Sequence, residues 1–368
     1  LTPKAAVTLS AILNLVGAFL SVEVAITVTN AVIRIQNPDG TPKPELLADS
    51  GHGLLLILMA GLAGAIIWNI LTWLWGLPSS SSHALFGGLI GATVASMGWA
   101  GVKWVGEGYK LDGVVGKVVL PALLSPAIAI VVAMVGTRLV FWITKGVAER
   151  YQESGFRWGQ IGTASLLSLS HGTNDAQKTM GVITLALIGS GYWTQTTEIP
   201  WWVKVACALA IGSGTYIGGW RIIRTMGKGL VEVSSPQGMA AESASAAVIL
   251  TSSQLGFALS TTHVCTGSII GSGLGRKGAA VRWRVAGRMG LAWLTTLPLA
   301  ALVSAGLWWL GHIIGGPPGA FVVFGIMCAA ALYMRWQSHR DPISHHNVND
   351  EWTGDTPEKK VPVSGGVH

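Results

Sequence analysis

The sequence predicts an all-α, polytopic membrane protein made of two inverted repeats, whose broken or re-entrant helices meet near the bilayer midplane. Composition is the first reason. Half of the 368 residues are hydrophobic, 11% are charged and mean hydropathy is +0.52, so polar groups are too few to cover a water-facing surface. Length is the second, because several apolar runs approach the ~20 residues a helix needs to cross a bilayer. Internal repetition is the third. Gly76-Leu-Pro-Ser-Ser-Ser-Ser-His83-Ala-Leu-Phe-Gly87-Gly-Leu-Ile-Gly91 returns as Gly256-Phe-Ala-Leu-Ser-Thr-Thr-His263-Val-Cys-Thr-Gly267-Ser-Ile-Ile-Gly271. A long-period repeat in an apolar chain points to two halves related by pseudo-symmetry, with a ligand site where they meet.

In chain order, spans are predicted over 5–29, 54–75, 118–142, 161–190, 201–220, 238–256, 285–311 and 319–335. Each is an apolar stretch of near-spanning length. Trp73, Trp75, Trp201, Trp202, Trp308 and Trp309 sit near span ends, as in an interfacial aromatic belt. Segments 83–97 and 263–274 follow the repeated motifs and are too short to cross, so they are predicted as half-helices returning from a hairpin. The 49 glycines suit close helix packing, or helix breaks, in lipid. The chain then divides into a first repeat (1–143), a cytoplasmic linker (144–160), a second repeat (161–311), an additional span (312–336) and a disordered polar tail (337–368).

Basic residues set the orientation. Lys145, Arg150 and Arg157 share one loop, Arg221, Arg224 and Lys228 another, and Arg276, Lys277, Arg282, Arg284 and Arg288 a third. The positive-inside rule places all three in the cytoplasm and the connections near 30–52, 98–117 and 191–200 outside. The hairpin tipped by Ser79, Ser80, Ser81 and Ser82 then enters from outside, and the one tipped by Ser260, Thr261 and Thr262 from the cytoplasm. The halves are therefore inverted, an arrangement of secondary transporters.

Other classes find little support. Cys207, Cys265 and Cys328 lie far apart in apolar stretches and make neither a metal spacing nor a disulfide framework. A net charge of +7 is better explained by cytoplasmic loops, membrane lipid or an anionic substrate than by nucleic acid. No cleavable signal peptide is evident.

Two constellations carry chemistry. In Pro78-Ser-Ser-Ser-Ser-His83, a proline and four hydroxyls between apolar segments free backbone N–H groups at the next helix N-terminus. Those donors, the helix dipole and the hydroxyls together suit an oxyanion. A polar N-cap would use the same residues, but the repetition at Ser260, Thr261, Thr262 and His263 favours the anion. His83 and His263 read equally as proton carriers, ligands or packing residues bonded to a carbonyl.

The second constellation is Ser170-His171-Gly172-Thr173-Asn174-Asp175-Ala176-Gln177-Lys178, which interrupts an apolar stretch near mid-span. Polar residues at such depth are functional by default. Asp175 can bind a cation or carry a proton, and Thr173, Asn174 and a loosened backbone can ligate phosphate or a metal ion. An Asp175–Lys178 pair on one helix face is the plainer alternative. Glu242, on the segment feeding the second hairpin, reads as a coupling carboxylate or an interfacial acid, and so does Glu23 on the first span.

The repeated hydroxyl-His motifs, the His171-Gly-Thr-Asn-Asp-Ala-Gln177 segment and Gln237-Gly-x-x-x-Glu242 together resemble the inorganic phosphate transporter (PiT) family over about residues 1–311. The resemblance implies phosphate symport driven by H⁺ or Na⁺, an inverted-repeat fold, and a central site formed by the two broken-helix regions. It implies no cofactor, although a divalent metal can travel with phosphate as a neutral complex, and some relatives carry sulfate. It also implies a helix with a Gly-x-Asn/His-Asp-x-Ala-Asn element. By the spacing of His171 to His263, that element falls ahead of Leu1 and is absent from this chain.

The leading function is therefore an ion-coupled phosphate symporter of the cell membrane that works by alternating access and is not an enzyme. Thr173, Asn174, Asp175, Ser79–Ser82 and Ser260–Thr262 would surround phosphate, and Asp175, Asn174 and Glu242 would serve the coupling ion. A transporter of sulfate or another oxyanion is the alternative within the class. An intramembrane hydrolase is disfavoured because the hydroxyl motifs repeat symmetrically and no Gly-x-Ser-x-Gly lies at these turns. A non-transporting scaffold rests only on the absent first helix. Inorganic phosphate and membrane lipid are the expected partners, a homodimer is admissible, and no nucleic acid is expected.

Overall fold

The computed structural model describes residues 1–34, 44–106, 112–146, 149–340 and 342–348. The loop around Asp39 and the tail from 349 onward, on which two of the expectations above fall, lie outside the described residues.

The two hairpins are built alike, turn for turn. α3 (Pro44–Leu74) and α9 (Ser235–Gln254) end at glycines in the left-handed region, Gly76 and Gly256, each with φ 66°. In the first, Leu77 N–H reaches Thr72 O and Gly76 N–H reaches Trp73 O. In the second, Phe257 N–H reaches Ser252 O and Gly256 N–H reaches Ser253 O. This is the same closed C-terminal turn twice, and a side chain at either glycine would be strained. The chain then reverses into α4 (Ser81–Met97) and α10 (Thr261–Gly275). Ser80 and Ser260 start these helices by accepting the backbone N–H of His83 and His263 at 3.1 and 3.3 Å.

The short helices pack crosswise. α4 lies against α11 (Trp283–Ile314) and α10 against α5 (Leu120–Ile143), which is entered through a wide turn, Val115–Val119. Repeated glycines allow the approach. A methyl group on Gly87 or Gly91 would sit 2.3 or 2.0 Å from the carbonyl oxygens of Leu297 and Ala301. On Gly267 or Gly271 it would meet those of Pro126 and Ile130 at 2.6 and 2.2 Å. Equivalent glycines thus bring equivalent helices to backbone contact.

α6 (Glu149–Gly189), 41 residues long, runs past both hairpins and packs on α9, on α1 (Pro3–Gly17) and on α2 (Glu23–Ala31). α7 (Trp201–Ile217) rests on α1, the short α8 (Trp220–Arg224) touches α3, and α12 (Gly316–Ser338) covers α3 and α11.

Three expectations need correcting. The span expected over 5–29 is two helices, α1 and α2, separated at 18–22. Gln177 Oε1, from α6, accepts the N–H groups of Val24 and Ala25 at 2.8 and 3.2 Å and so satisfies two of the four orphan donors of α2. The backbone loosening expected at His171–Lys178 does not occur, and α6 is continuous there. Its polar side chains find partners on neighbouring helices and leave the helical ladder intact. Past α12 the chain turns again: Asn347 Oδ1 accepts Ser344 N–H at 2.7 Å and Val348 is buried, so order persists beyond residue 337.

Polarity is distributed inside out. Leu123, Val131, Val135 and Trp142 on α5, Leu291, Leu294 and Leu302 on α11, and Phe321 and Leu332 on α12 are exposed, whereas Ser80, Thr173, Asn174, Gln177 and Lys178 are buried. Among the described residues, Gly51–Leu74, Val115–Gly146, Trp283–Ile314 and Gly316–Ser338 are long and apolar enough to cross a membrane. α7 and α9, at 17 and 20 residues, and the polar middle of α6 fall short of that measure, in keeping with polar residues kept inside the bundle.

Candidate functional site

Both hairpin tips converge on the polar turn of α6. Lys178, three residues after Asp175, is 3% exposed, so its charge must be compensated locally. Its ammonium donates to Asp175 Oδ1 at 2.5 Å, to Ser82 Oγ at 2.7 Å and to Leu259 O at 2.8 Å. Three donors meet three acceptors, one from each of α6, the first hairpin and the second. The other carboxylate oxygen, Asp175 Oδ2, accepts Thr261 Oγ1 at 2.9 Å and lies 2.9 Å from His171 Nε2. Asp175 and Lys178 therefore tie together the first residues of α4 and α10.

His171 Nδ1 is 2.7 Å from Asn14 Oδ1, and Asn14 Nδ2 donates to Ser10 O, so α1 orients the imidazole. Asn174 Nδ2 donates to Ser253 Oγ at 2.8 Å. Asn174 Oδ1 is buried and has no hydrogen-bond donor among the described residues. On the far side of the tips, the His83 and His263 rings meet edge to face at 4.6 Å. His263 stacks on Trp293 at 4.1 Å, and Trp293 Nε1 donates to Pro78 O at 3.1 Å. The histidines serve the contact between tips, and His263 Nδ1 lies 3.3 Å from Ala122 O.

The residues singled out in the sequence separate into groups. Asp175, Ser82 and Thr261 share one network, and Asn174 adjoins it through α9. Ser80 and Ser260 are spent on capping, the alternative role weighed for the hydroxyl runs. Ser79 Oγ sits 2.6 Å from Thr72 Oγ1. Ser81 is exposed and Thr262 half-buried, each in the first turn of its helix. Thr173 Oγ1 donates to Gly17 O and Leu169 O at 3.0 and 2.8 Å, which makes it a packing hydroxyl between α1 and α6.

Glu242 lies elsewhere. Its Oε2 accepts Thr163 Oγ1 at 2.6 Å, twelve residues or about 18 Å along α6 from Asp175 at 1.5 Å rise per residue. Glu23 is an exposed first-turn acid of α2. The sequence reading passed over Asn14, Ser253 and Trp293. A lone amide in the apolar α1 was the visible signal for Asn14, and Trp293 had none.

Comparison with known proteins places the chain in a family. The family model described as "Phosphate transporter family" matches residues 1–304. A probable low-affinity inorganic phosphate transporter of Mycobacterium bovis is 55% identical over 96% of this chain and 80% of its own length. One from Bacillus subtilis is 38% identical over 83% of this chain and 85% of its own. A solved structure titled "The sodium-dependent phosphate transporter" shares the fold with a TM-score of 0.68 at 21% identity, covering 86% of this chain and 91% of the other.

Proposed function

Because the chain belongs to the phosphate transporter family and is a multi-pass membrane protein, we propose that it is an ion-coupled inorganic phosphate symporter whose substrate sits between the N-termini of α4 and α10. The observation that carries this reading is the buried Asp175–Lys178 pair, which grips Ser82 of one hairpin and Thr261 of the other. Two helix N-termini aimed at one point favour an anion. Ser81, Thr262 and the free first-turn N–H groups supply tetrahedral donors, and Lys178 supplies positive charge.

An anion beside Asp175 is repelled unless a cation accompanies it. Asn174 Oδ1, buried and unpartnered, together with the Asp175 carboxylate, offers oxygens to Na⁺. His171 against Asp175 offers the proton route instead. Glu242 is a separate, half-buried carboxylate on the α6–α9 seam, suited to a second coupling step rather than to contact with phosphate. A divalent metal carried with phosphate would meet the same carboxylate at Asp175.

Alternating access follows from inverted repeats. The crosswise packing of α4 on α11 and α10 on α5 is what a pseudo-two-fold relation between halves produces, and it supports the inverted reading. Each hairpin pivots at its left-handed glycine, and the ion pair releases one tip at a time.

Uptake of radiolabelled phosphate into proteoliposomes, under a Na⁺ gradient or a H⁺ gradient alone, tests the proposal. Accumulation is expected with one of the two gradients, displaced by arsenate and not by equal sulfate. Preferential displacement by sulfate moves the substrate to another oxyanion, and no gradient-driven uptake overturns the reading.

A further inference from the structure

We propose a second anion site, for the headgroup of an acidic phospholipid, in a groove between the C-terminal ends of α5 and α10. The groove encloses a cavity of about 850 Å³. Arg138, Lys145, Arg276 and Lys277 line it with Phe141 and Trp142, and no carboxylate lines it among the described residues. The Arg276 guanidinium donates to Gln237 Oε1 at 3.0 Å and lies 5.9 Å from the Phe141 ring, so one cation is fixed in place. Arg138, Lys145 and Lys277 are exposed, and none of them makes a salt bridge among the described residues.

Like charges gathered in one recess repel unless an anion joins them. A helix C-terminus favours one or two nearby cations, but it does not explain four around an open cavity with aromatic walls. The site is distinct from the Asp175 network, because Gly275, which also lines the groove, lies fourteen residues after Thr261 at the other end of α10, about 21 Å away at helical rise. Free phosphate is a poor match for the lining. Val135, Leu139 and Trp142 also border the cavity, and all three are exposed on the apolar outer face of α5. A phosphodiester headgroup with acyl chains running down α5 satisfies both halves of the groove, in the way that basic pockets between helices hold acidic lipid. The cations would hold the headgroup and Trp142 would mark the interfacial level.

Native mass spectrometry of the full chain, released from micelles of equimolar phosphatidylglycerol and phosphatidylcholine, tests this. One retained phosphatidylglycerol per chain is expected, preferred at least about tenfold over phosphatidylcholine, on the basis of the contribution each basic residue makes near an acidic lipid. Arg138→Gln with Lys145→Gln and Lys277→Gln should bring the preference near unity. Lys4→Gln with Arg284→Gln and Arg335→Gln, an equal loss of charge elsewhere, should leave it unchanged. The site is refuted if the unaltered chain shows no preference, if the groove variant keeps it, or if excess inorganic phosphate displaces the lipid.

Discussion

At the scale of single residues, the centre of the molecule is a charge pair that a bilayer interior would not tolerate unpaired. Asp175 and Lys178 compensate each other and are further satisfied by Ser82, Thr261, His171 and Leu259 O. Removing one partner strands the other. Lys178→Met should destabilise the folded protein by about 3–5 kcal/mol, the usual cost of an uncompensated buried charge. Combining it with Asp175→Asn should recover part of that loss, which melting temperatures in detergent will read as non-additivity. The hydroxyls divide differently. Ser80→Ala and Ser260→Ala remove N-caps and should each cost about 1 kcal/mol of stability with little change in phosphate affinity. Ser81→Ala and Thr262→Ala remove the hydroxyls proposed to meet phosphate. They should weaken apparent phosphate affinity about tenfold, as expected for losing a hydrogen bond to a charged group, measured by uptake at graded substrate.

At the scale of elements, the hairpins explain why the repeat is rich in glycine. Gly91→Ala and Gly271→Ala each press a methyl against a backbone carbonyl, at 2.0 and 2.2 Å. Both should lower thermal stability to a similar degree, by about 1–3 kcal/mol as in other overpacked contacts. Gly290→Ala, with open space around it, should be neutral or slightly stabilising. Unequal losses at Gly91 and Gly271 would argue against equivalent halves. These hairpins were legible in the sequence because everything that makes them is local: the stop glycine, the cap serine and the small-residue face all repeat. The break between α1 and α2 was not legible, because its cap is Gln177, more than 150 residues away. The same holds within the site. Asp175 announced itself as an acid in an apolar run, and Lys178 as its neighbour on the helix. Their partners on two other helices follow from packing alone. Glu242 was legible only as a coupling carboxylate or an interfacial acid, because its distance from Asp175 depends on how far α6 and α9 run side by side.

At the scale of the whole molecule, apolar residues face outward and polar ones meet inside, which is the distribution a bilayer selects. The proposed inversion of the halves predicts sidedness. Cysteines placed at Lys145 and Lys277 should react with an impermeant thiol reagent only from the cytoplasmic side, and one at Val105 only from outside; external labelling at 145 would remove the inversion. The central claim is that both hairpins close around one anion and its coupling ion at Asp175. Asp175→Asn keeps the side chain's shape and some hydrogen bonding but removes its charge, so it tests that claim most directly. Gradient-driven phosphate uptake by this variant, reconstituted at wild-type amounts of folded protein, should fall to the level of empty proteoliposomes. Accumulation against the phosphate gradient with unchanged ion dependence would contradict the account and leave Asp175 as a structural partner of Lys178.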